Sequence, residues 1–441
     1  MCDVLVIVGP GVAVDAGLLG EIARREFAAL GVRGRLVHAR DAAHLRSLVR
    51  EEAVVVVVPA PAREASTLIR QPPGTGVVVP VDLDRVAGAP HINGRGIAGL
   101  AWGIRHAVHR ARHPGVRRIA YGPSPEQWGD LYLPESGAEA VPVVALIHGG
   151  YWRSIWAADL MEALCADLAG RGFAVWNLEY RRPDRHGWAA TRHDIAAGLA
   201  ALAGIGPAPA PGPVIASGLA ARHGSDPAPA PGPAVTSGLA ARHGSDPAPG
   251  PAAAAGQATP RQPALDLGRV AVAGHSAGAQ LALRAVADGA RVTLAVSLAG
   301  VLDLVEADRR WLSHGAVAAA LGDGDASGDG DGSGDGDGSG DGDGDGDPAV
   351  PAPGDGDALP AGELHASSPL LRLPLGVPQV VVQGRGDDVN LVDFARRYTT
   401  AARQAGDDVT YLELPGDHQD VITPGTPIWQ ATARAITAAL A

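Results

Sequence analysis

A short apolar run, Arg269 to Ala273, leads directly into Gly274-His275-Ser276-Ala277-Gly278 and then into a helical pattern over Ala279 to Ala287. A serine between glycines, placed between a strand and a helix, is typical of a sharp turn that lifts the hydroxyl above the end of a sheet. The glycines stand where a Cβ would clash. The motif alone also fits a glycine-rich connection with an incidental serine, so its interpretation depends on partner residues elsewhere.

If Ser276 is a nucleophile, an acid and then a base must follow it, because serines on this kind of turn have partners in the order Ser, Asp, His. An acidic pair, Asp387-Asp388, comes directly after the strand predicted at Gln379 to Gln383. Asp387 is favoured because it lies three residues after Gly384, the usual spacing for the acid, although Asp388 remains an alternative.

The candidate base is His418, which follows a strand predicted at Asp408 to Leu412. It is the only histidine beyond Asp387 in the chain. Serine, acid and base therefore occur in the required order, each just after a predicted strand. This joint placement predicts a triad of Ser276 as nucleophile, His418 as general base and Asp387 as the acid that orients the histidine.

A second glycine motif, His148-Gly149-Gly150-Tyr151-Trp152, follows the strand predicted at Val143 to Ile147. Acyl transfer needs backbone N–H groups directed at the oxyanion that develops on the carbonyl oxygen, and consecutive glycines let the chain approach that closely. We assign the oxyanion hole to Gly149, Gly150 and the N–H of Ala277. His148 is predicted to hold this loop through a backbone hydrogen bond and to take no part in the chemistry.

The chain before these motifs alternates short β-branched runs with helical patterns from residue 4 to about 112, which is typical of a parallel sheet with crossover helices. His113-Pro114-Gly115 reads as a linker, and a second α/β pattern begins near Tyr121. We therefore predict an α/β protein with one domain at 1–115 and another at 116–441.

Two low-complexity blocks interrupt the second pattern. A 20-residue sequence rich in Pro and Ala is present at 207 to 226 and again at 227 to 246, and Gly-Asp repeats run from about 322 to 357. Neither can bury a core, so both are predicted to be disordered insertions, at about 207–262 and 322–360. Calcium binding by the Gly-Asp repeats is disfavoured, because they lack the apolar residues of calcium-binding β-helix repeats and the closing Glu of an EF-hand.

Composition excludes several classes of function. The net charge is −12, while the stretch 323–357 holds twelve Asp and no Lys or Arg, so the rest is near neutral and lacks the basic patch of a nucleic-acid binder. Cys2 and Cys165 are too few for a disulfide framework or a cysteine-based zinc site. Without a signal-like start or a long apolar run, the expectation is a cytoplasmic protein that needs neither membrane, metal nor cofactor.

His148 to Arg153 resembles the His-Gly-Gly-x-Trp signature of the kynurenine formamidase (arylformamidase) and carboxylesterase branch of the α/β-hydrolases. Asp130-Leu131-Tyr132-Leu133-Pro134, Glu179-Tyr180-Arg181 and Gly274 to Gly278 also fit that branch. The resemblance implies a metal-free enzyme that opens small ester or aryl-formamide bonds. It also implies a substrate-binding role for Tyr151 and Trp152, for which ordinary packing is an equal alternative.

The N-terminal part resembles type II 3-dehydroquinate dehydratase, a flavodoxin-like fold that forms large oligomers. The match is carried by Gly9-Pro10, by His91-Ile92-Asn93 and by Gly94 to Leu100. Val8 and Gly11 stand where that family has asparagines, and its lid with an essential Arg and Tyr is missing. We therefore expect a degenerate domain that serves in assembly, as a possible homo-oligomer contact, or as a binding module.

The leading hypothesis is a serine hydrolase that acts on a small ester or formamide through an acyl-enzyme. One alternative is a binding or scaffold protein with an inactive hydrolase domain, which the complete set of Ser276, Asp387 and His418 disfavours. Another is dehydratase activity in the N-terminal domain, which the lost residues disfavour.

Overall fold

The computed structural model describes residues 3–51, 54–59, 76–82, 92–135, 138–206, 262–322 and 361–441. The tandem repeat and the Gly-Asp block, for which disordered insertions are predicted, lie outside these ranges. His91, which carries part of the dehydratase resemblance, also lies outside them.

The first sheet is parallel, and its strands lie in the order β2-β1-β3-β4. These strands are β1 (Asp3–Val8), β2 (Arg33–His38), β3 (Val54–Val58) and β4 (Val77–Pro80). Three helices accompany them: α1 (Ala16–Leu30), α2 (Ala42–Glu51) and α3 (Gly99–Arg112). The valine-rich strands β1, β3 and β4 are buried, as the sequence predicts for a parallel sheet covered by helices, whereas the edge strand β2 is largely exposed.

Local sequence signals fix the ends of these elements. The Asp15 carboxylate caps α1 by accepting from the Leu18 N–H at 2.7 Å, and Gly31 ends that helix at a φ of 62°.

Within α3, a Cβ on Gly103 would lie 2.5 Å from a methyl carbon of Val81. The glycine therefore lets α3 pack closely on the sheet.

The second sheet has eight strands in the order β12-β11-β10-β9-β7-β8-β6-β5, and only β6 runs antiparallel to its neighbours. The strands are β5 (Arg117–Ala120), β6 (Trp128–Tyr132), β7 (Ala140–Ile147), β8 (Ala174–Leu178), β9 (Ala264–His275), β10 (Leu294–Leu298), β11 (Gln379–Gly384) and β12 (Val409–Leu414). Counted from β5, the order is 1-2-4-3-5-6-7-8, which is that of the α/β-hydrolase fold.

Helices cover both faces of this sheet, as parallel strands require. They are α4 (Glu162–Gly170), α5 (Pro183–Ala200), α6 (Ala277–Ala287), α7 (Leu304–Arg309), α8 (Ala316–Leu321), α9 (Ala361–Ser367), α10 (Val389–Gln404) and α11 (Pro427–Leu440). Helices α5, α6 and α10 share one hydrophobic core, while α4 and α11 share the core of the opposite face. No helix in the described ranges is both long and apolar enough to cross a bilayer.

Both sheets belong to one compact unit, in which α3 and the residues just before it pack against the larger sheet's helices. The guanidinium of Arg95 donates to both carboxylate oxygens of Asp159, at 2.7 and 2.8 Å. The Trp102 ring packs edge-on against Trp156, with 5.8 Å between the ring centres. The domain boundary predicted near residue 115 therefore separates two sheets, and buried side chains connect the parts of the chain that contain them.

The Arg95–Asp159 pair is almost completely enclosed, with side-chain exposures of 3% and 5%. Burial disfavours the charged form of Asp159, but the adjacent guanidinium outweighs it and holds the pKa of this carboxyl below its usual value. The ion pair therefore stabilises the fold above the ordinary pKa of an aspartate, and this contribution is lost as the pH falls through the lowered pKa.

Replacing Arg95 by Met should destabilise the protein by about 3 kcal/mol, because Asp159 would remain buried without its partner charge. Urea unfolding measures the loss. Adding Asp159→Leu should recover most of it, since two apolar side chains leave no unpaired charge. Arg33→Met, which breaks an exposed pair with Asp3, is the matched control and should change little. Equal unfolding midpoints for Arg95→Met and this control would contradict the role given to the buried pair.

Candidate active site

Ser276 lies at the turn between β9 and α6, with a φ of 55° and a ψ of −121°. Such a conformation is strained for a residue with a side chain and persists only when its surroundings enforce it. The Ser276 N–H donates to the carbonyl of Leu298 at 2.9 Å. A Cβ on Gly274 would overlap the carbonyl oxygen of Gly278, and one on Gly278 would overlap that of Ile147. Both glycines of the motif are therefore sterically required.

His418 and Asp387 lie together, with 3.0 Å between Nδ1 of the imidazole and Oδ2 of the carboxylate. A carboxylate can only accept, so Nδ1 carries the hydrogen and Nε2 is left as the basic nitrogen. The Asp387 carboxylate is 3% exposed and also accepts from Nε2 of Gln383 at 2.8 Å. Its second oxygen accepts from the Asp388 N–H at 2.7 Å. The acid is held at both oxygens.

Asp388, the alternative acid, has a different role. Its Oδ1 accepts from the N–H of Asn390 at 2.7 Å, which caps the first turn of α10. Asp387 therefore contacts the histidine, whereas Asp388 caps a helix.

His275 joins the serine turn to the histidine loop. Its Nε2 lies 3.1 Å from the carbonyl oxygen of His418, and the ring centres are 4.7 Å apart. Burial first, and then the neighbouring His418, lower the pKa of His275 well below its usual value, so its ring is neutral. Because His275 directly precedes Ser276, this contact brings the loop of His418 to the serine turn.

Of the two glycines predicted for the oxyanion hole, Gly149 lies beside the serine. A Cβ on Gly149 would stand 2.8 Å from the Cβ of Ser276, so only a glycine allows this approach. Gly150 has a φ of 110°, and a Cβ there would overlap the side chain of Trp156. Ala277 begins α6 and is fully buried.

A buried cluster at the end of β8 holds this loop in place. The Tyr180 hydroxyl donates to the carbonyl of His148 at 2.9 Å, and the two rings stack at 4.5 Å. The His148 imidazole lies 2.8 Å from the carbonyl oxygen of Gly149, as predicted, and 3.5 Å from the carboxylate of Glu179. Glu179 is fully buried and pairs with the guanidinium of Arg182. Burial raises the pKa of the Tyr180 phenol, so it remains a donor.

Tyr151 and Trp152 lie in different surroundings, although both have positive φ values, of 49° and 59°. The Trp152 ring is 1% exposed within the core, and its N–H donates to Gln280 at 3.1 Å. Tyr151 is half-buried, and its phenol has a raised pKa, first through burial and then through the nearby charges of Asp388 and Asp387. The packing alternative therefore fits Trp152, whereas Tyr151 faces the acids of the site.

The sequence patterns predict no role in the site for Gln383, His275, Glu179 or Tyr180. Gln383 and His275 each adjoin a predicted motif, so a polar residue at the end of a buried strand was the available signal. In the described ranges, no group of His, Cys, Asp or Glu is arranged to hold a metal ion.

The family model described as BD-FAE matches residues 129–203. Among solved structures, the chain is similar to esterase B from Lactobacillus rhamnosis, at 16% identity and a TM-score of 0.46, covering 77% of this chain and 92% of that one. It is also similar to a thermophilic esterase from Thermogutta terrifontis, at 14% identity and a TM-score of 0.43, with coverages of 74% and 93%.

A further similar structure is a bifunctional GH43-CE protein from Bacteroides eggerthii, at 15% identity and a TM-score of 0.46. The match covers 74% of this chain but only 35% of that longer one. The strand order and the serine turn together show that the chain has the α/β-hydrolase fold.

Tyr180→Phe should lower kcat about tenfold and leave KM nearly unchanged, because it removes one hydrogen bond to the oxyanion loop while keeping the stacked ring. Steady-state turnover of p-nitrophenyl acetate measures both constants. Tyr398→Phe is the matched control: this tyrosine is equally buried, and its hydroxyl donates to Gln379 at 2.7 Å, on another part of the sheet. A similar loss of kcat in both variants would contradict a specific effect on the loop.

Proposed function

We propose that this protein is a serine hydrolase that cleaves small carboxylic esters or aryl-formamides through Ser276, His418 and Asp387. The observation that carries the proposal is the 3.0 Å contact between His418 and Asp387. His275 connects the loop of this histidine to the strained Ser276. The BD-FAE match over 129–203 supports ester cleavage as the general type of reaction.

In the proposed reaction, Nε2 of His418 takes the proton of the Ser276 hydroxyl as its oxygen attacks the carbonyl carbon of the substrate. The oxyanion accepts hydrogen bonds from the backbone N–H groups of Gly149 or Gly150 and of Ala277. His418 returns the proton to the leaving alcohol or amine, which gives an acyl-enzyme. Water, activated by the same imidazole, then releases the carboxylic acid and restores the serine.

The enclosure of the serine supports short acyl groups as substrates. Ser276 is 1% exposed, and the close approach of Gly149 leaves little space on that side of the hydroxyl. We propose that formyl to butyryl groups are cleaved faster than long chains. Tyr151, which keeps exposed surface near Asp387, is the residue proposed to contact the substrate.

For the N-terminal part we propose a flavodoxin-like fold without dehydratase chemistry. Its parallel order β2-β1-β3-β4 supports this, because flavodoxin-like sheets begin with the same order. Val8 and Gly11 cannot supply the side-chain amides of a dehydratase site. A homo-oligomer through this part would need surfaces other than the side of α3 that packs on the hydrolase sheet.

Labelling with a fluorophosphonate probe tests the proposal against a non-catalytic scaffold. Ser276→Ala should abolish labelling, whereas Ser297→Ala, which alters an equally buried serine on β10, should leave it intact. Ser276→Ala, His418→Ala and the double variant should each lose a similar factor, on the order of 10⁴ to 10⁶ in kcat, because the triad acts as a unit. Turnover is measured on p-nitrophenyl esters and N-formylkynurenine. Normal labelling or turnover in Ser276→Ala would refute the assignment.

Asp387→Asn should lower kcat by about 10⁴, because an amide cannot hold the imidazole in the required tautomer. Asp388→Asn should remain close to wild type, since Asn caps a helix as well as Asp does. Both variants replace a carboxylate by an amide of nearly the same shape at adjacent positions, so each serves as the control for the other. The reverse ranking in kcat would assign the acid to Asp388.

A further inference from the structure

A cavity of about 520 Å³ lies between the N-terminal part and the hydrolase part, away from Ser276. Helix α3 forms one wall, the start of α4 forms another, and the loop from Gln419 to Pro424 closes one side. This volume lies within the range of small-molecule sites, which occur preferentially at contacts between domains.

The acidic groups that line this cavity are already paired. Glu26 accepts from Arg105 at 2.7 and 2.9 Å, and Glu162 lies 2.9 Å from the His106 imidazole. Asp159 is held in the ion pair described above. Each of these three carboxylates therefore already has a side-chain partner.

A positive charge remains at the mouth of the cavity. The guanidinium of Arg112 donates to the backbone carbonyl of Leu30 at 2.6 Å, and no ion pair of Arg112 is found within the described ranges. His109 and His113 stack beside it, with ring centres 4.2 Å apart. Burial, followed by the charges of neighbouring histidines, lowers the pKa of His109 to about 3, so this ring is neutral at pH 7. Among the groups that line the cavity, the guanidinium of Arg112 is the one available to attract an anion.

The remaining wall is apolar and partly aromatic. The Trp102 indole, Leu160 and Ile422 line it, together with the small side chain of Ala163. Such a wall accommodates a flat hydrocarbon body, whereas a fully hydrated anion such as phosphate would gain nothing from it.

We propose that this cavity binds a small organic carboxylate, with the carboxylate on Arg112 and the apolar body between Trp102 and Ile422. The chemistry that recognises the ligand is a charge-assisted hydrogen bond combined with burial of apolar surface. The site does not depend on catalysis at Ser276, although a hydrolase of the proposed kind releases molecules of this class.

Isothermal titration of the full chain tests the site with benzoate as the probe. Benzyl alcohol, which has the same ring without the charge, and inorganic phosphate, which has charge without the ring, should each bind at least about tenfold more weakly. Equal affinity for either compound would overturn the proposed chemistry, as would the absence of saturable benzoate binding below about 10 mM.

Two variants locate the binding. Arg112→Gln should weaken benzoate at least about tenfold, while Arg110→Gln, which makes the same charge change on the same helix outside the cavity, should not. Ala163→Phe should also weaken binding, because the larger ring fills the cavity without removing any ion pair. Unfolding midpoints check that each variant is folded. Benzoate binding that survives both Arg112→Gln and Ala163→Phe would place the ligand elsewhere and refute the site.

Discussion

The site depends on a steric constraint, since three backbone segments meet where there is no room for a Cβ. The end of β7, the turn after β9 and the start of α6 approach so closely that a side chain at Gly149, Gly274 or Gly278 would overlap backbone or the serine itself. This crowding forces Ser276 into its strained conformation and brings the Gly149 loop beside it. Hydrogen bonds and ion pairs around the site serve to keep these segments in contact.

Buried ion pairs hold two loops next to the larger sheet. Glu179 contacts His148, in the loop that contains Gly149 and Gly150, and it also pairs with Arg182. Asp159 pairs with Arg95 of the N-terminal part. Buried pairs of this kind add little net stability compared with apolar packing, yet losing one partner is costly. They therefore specify which segments meet more than they strengthen the fold as a whole.

The strands were predictable because a parallel sheet buried on both faces leaves a continuous apolar run in the sequence. The runs at Val54 to Val58 and Gln379 to Gln383 correspond to β3 and β11. The positions of the candidate serine, acid and histidine followed from the same logic, because each comes directly after such a run.

Several elements gave no such signal. Helix α5 was not predicted, because its sequence mixes charged and apolar residues and Gly187 interrupts its regular geometry at a φ of 74°. The short helices α7 to α9 lack enough residues to show a period. The contact of Tyr180 with His148 joins residues that follow two different strands, β8 and β7, so no local pattern could reveal it.

The orientation of strand β9 determines how far the insertion point before it lies from the serine. It runs from Ala264, which pairs with Ala140 at the far edge of the sheet, to His275 at the serine. At about 3.3 Å per residue, twelve residues separate these ends by roughly 40 Å. Residue 263, just before β9 and after the tandem repeat in the sequence, therefore lies at the end of the strand that is remote from the serine. This position is a practical location for a tag or a fused partner.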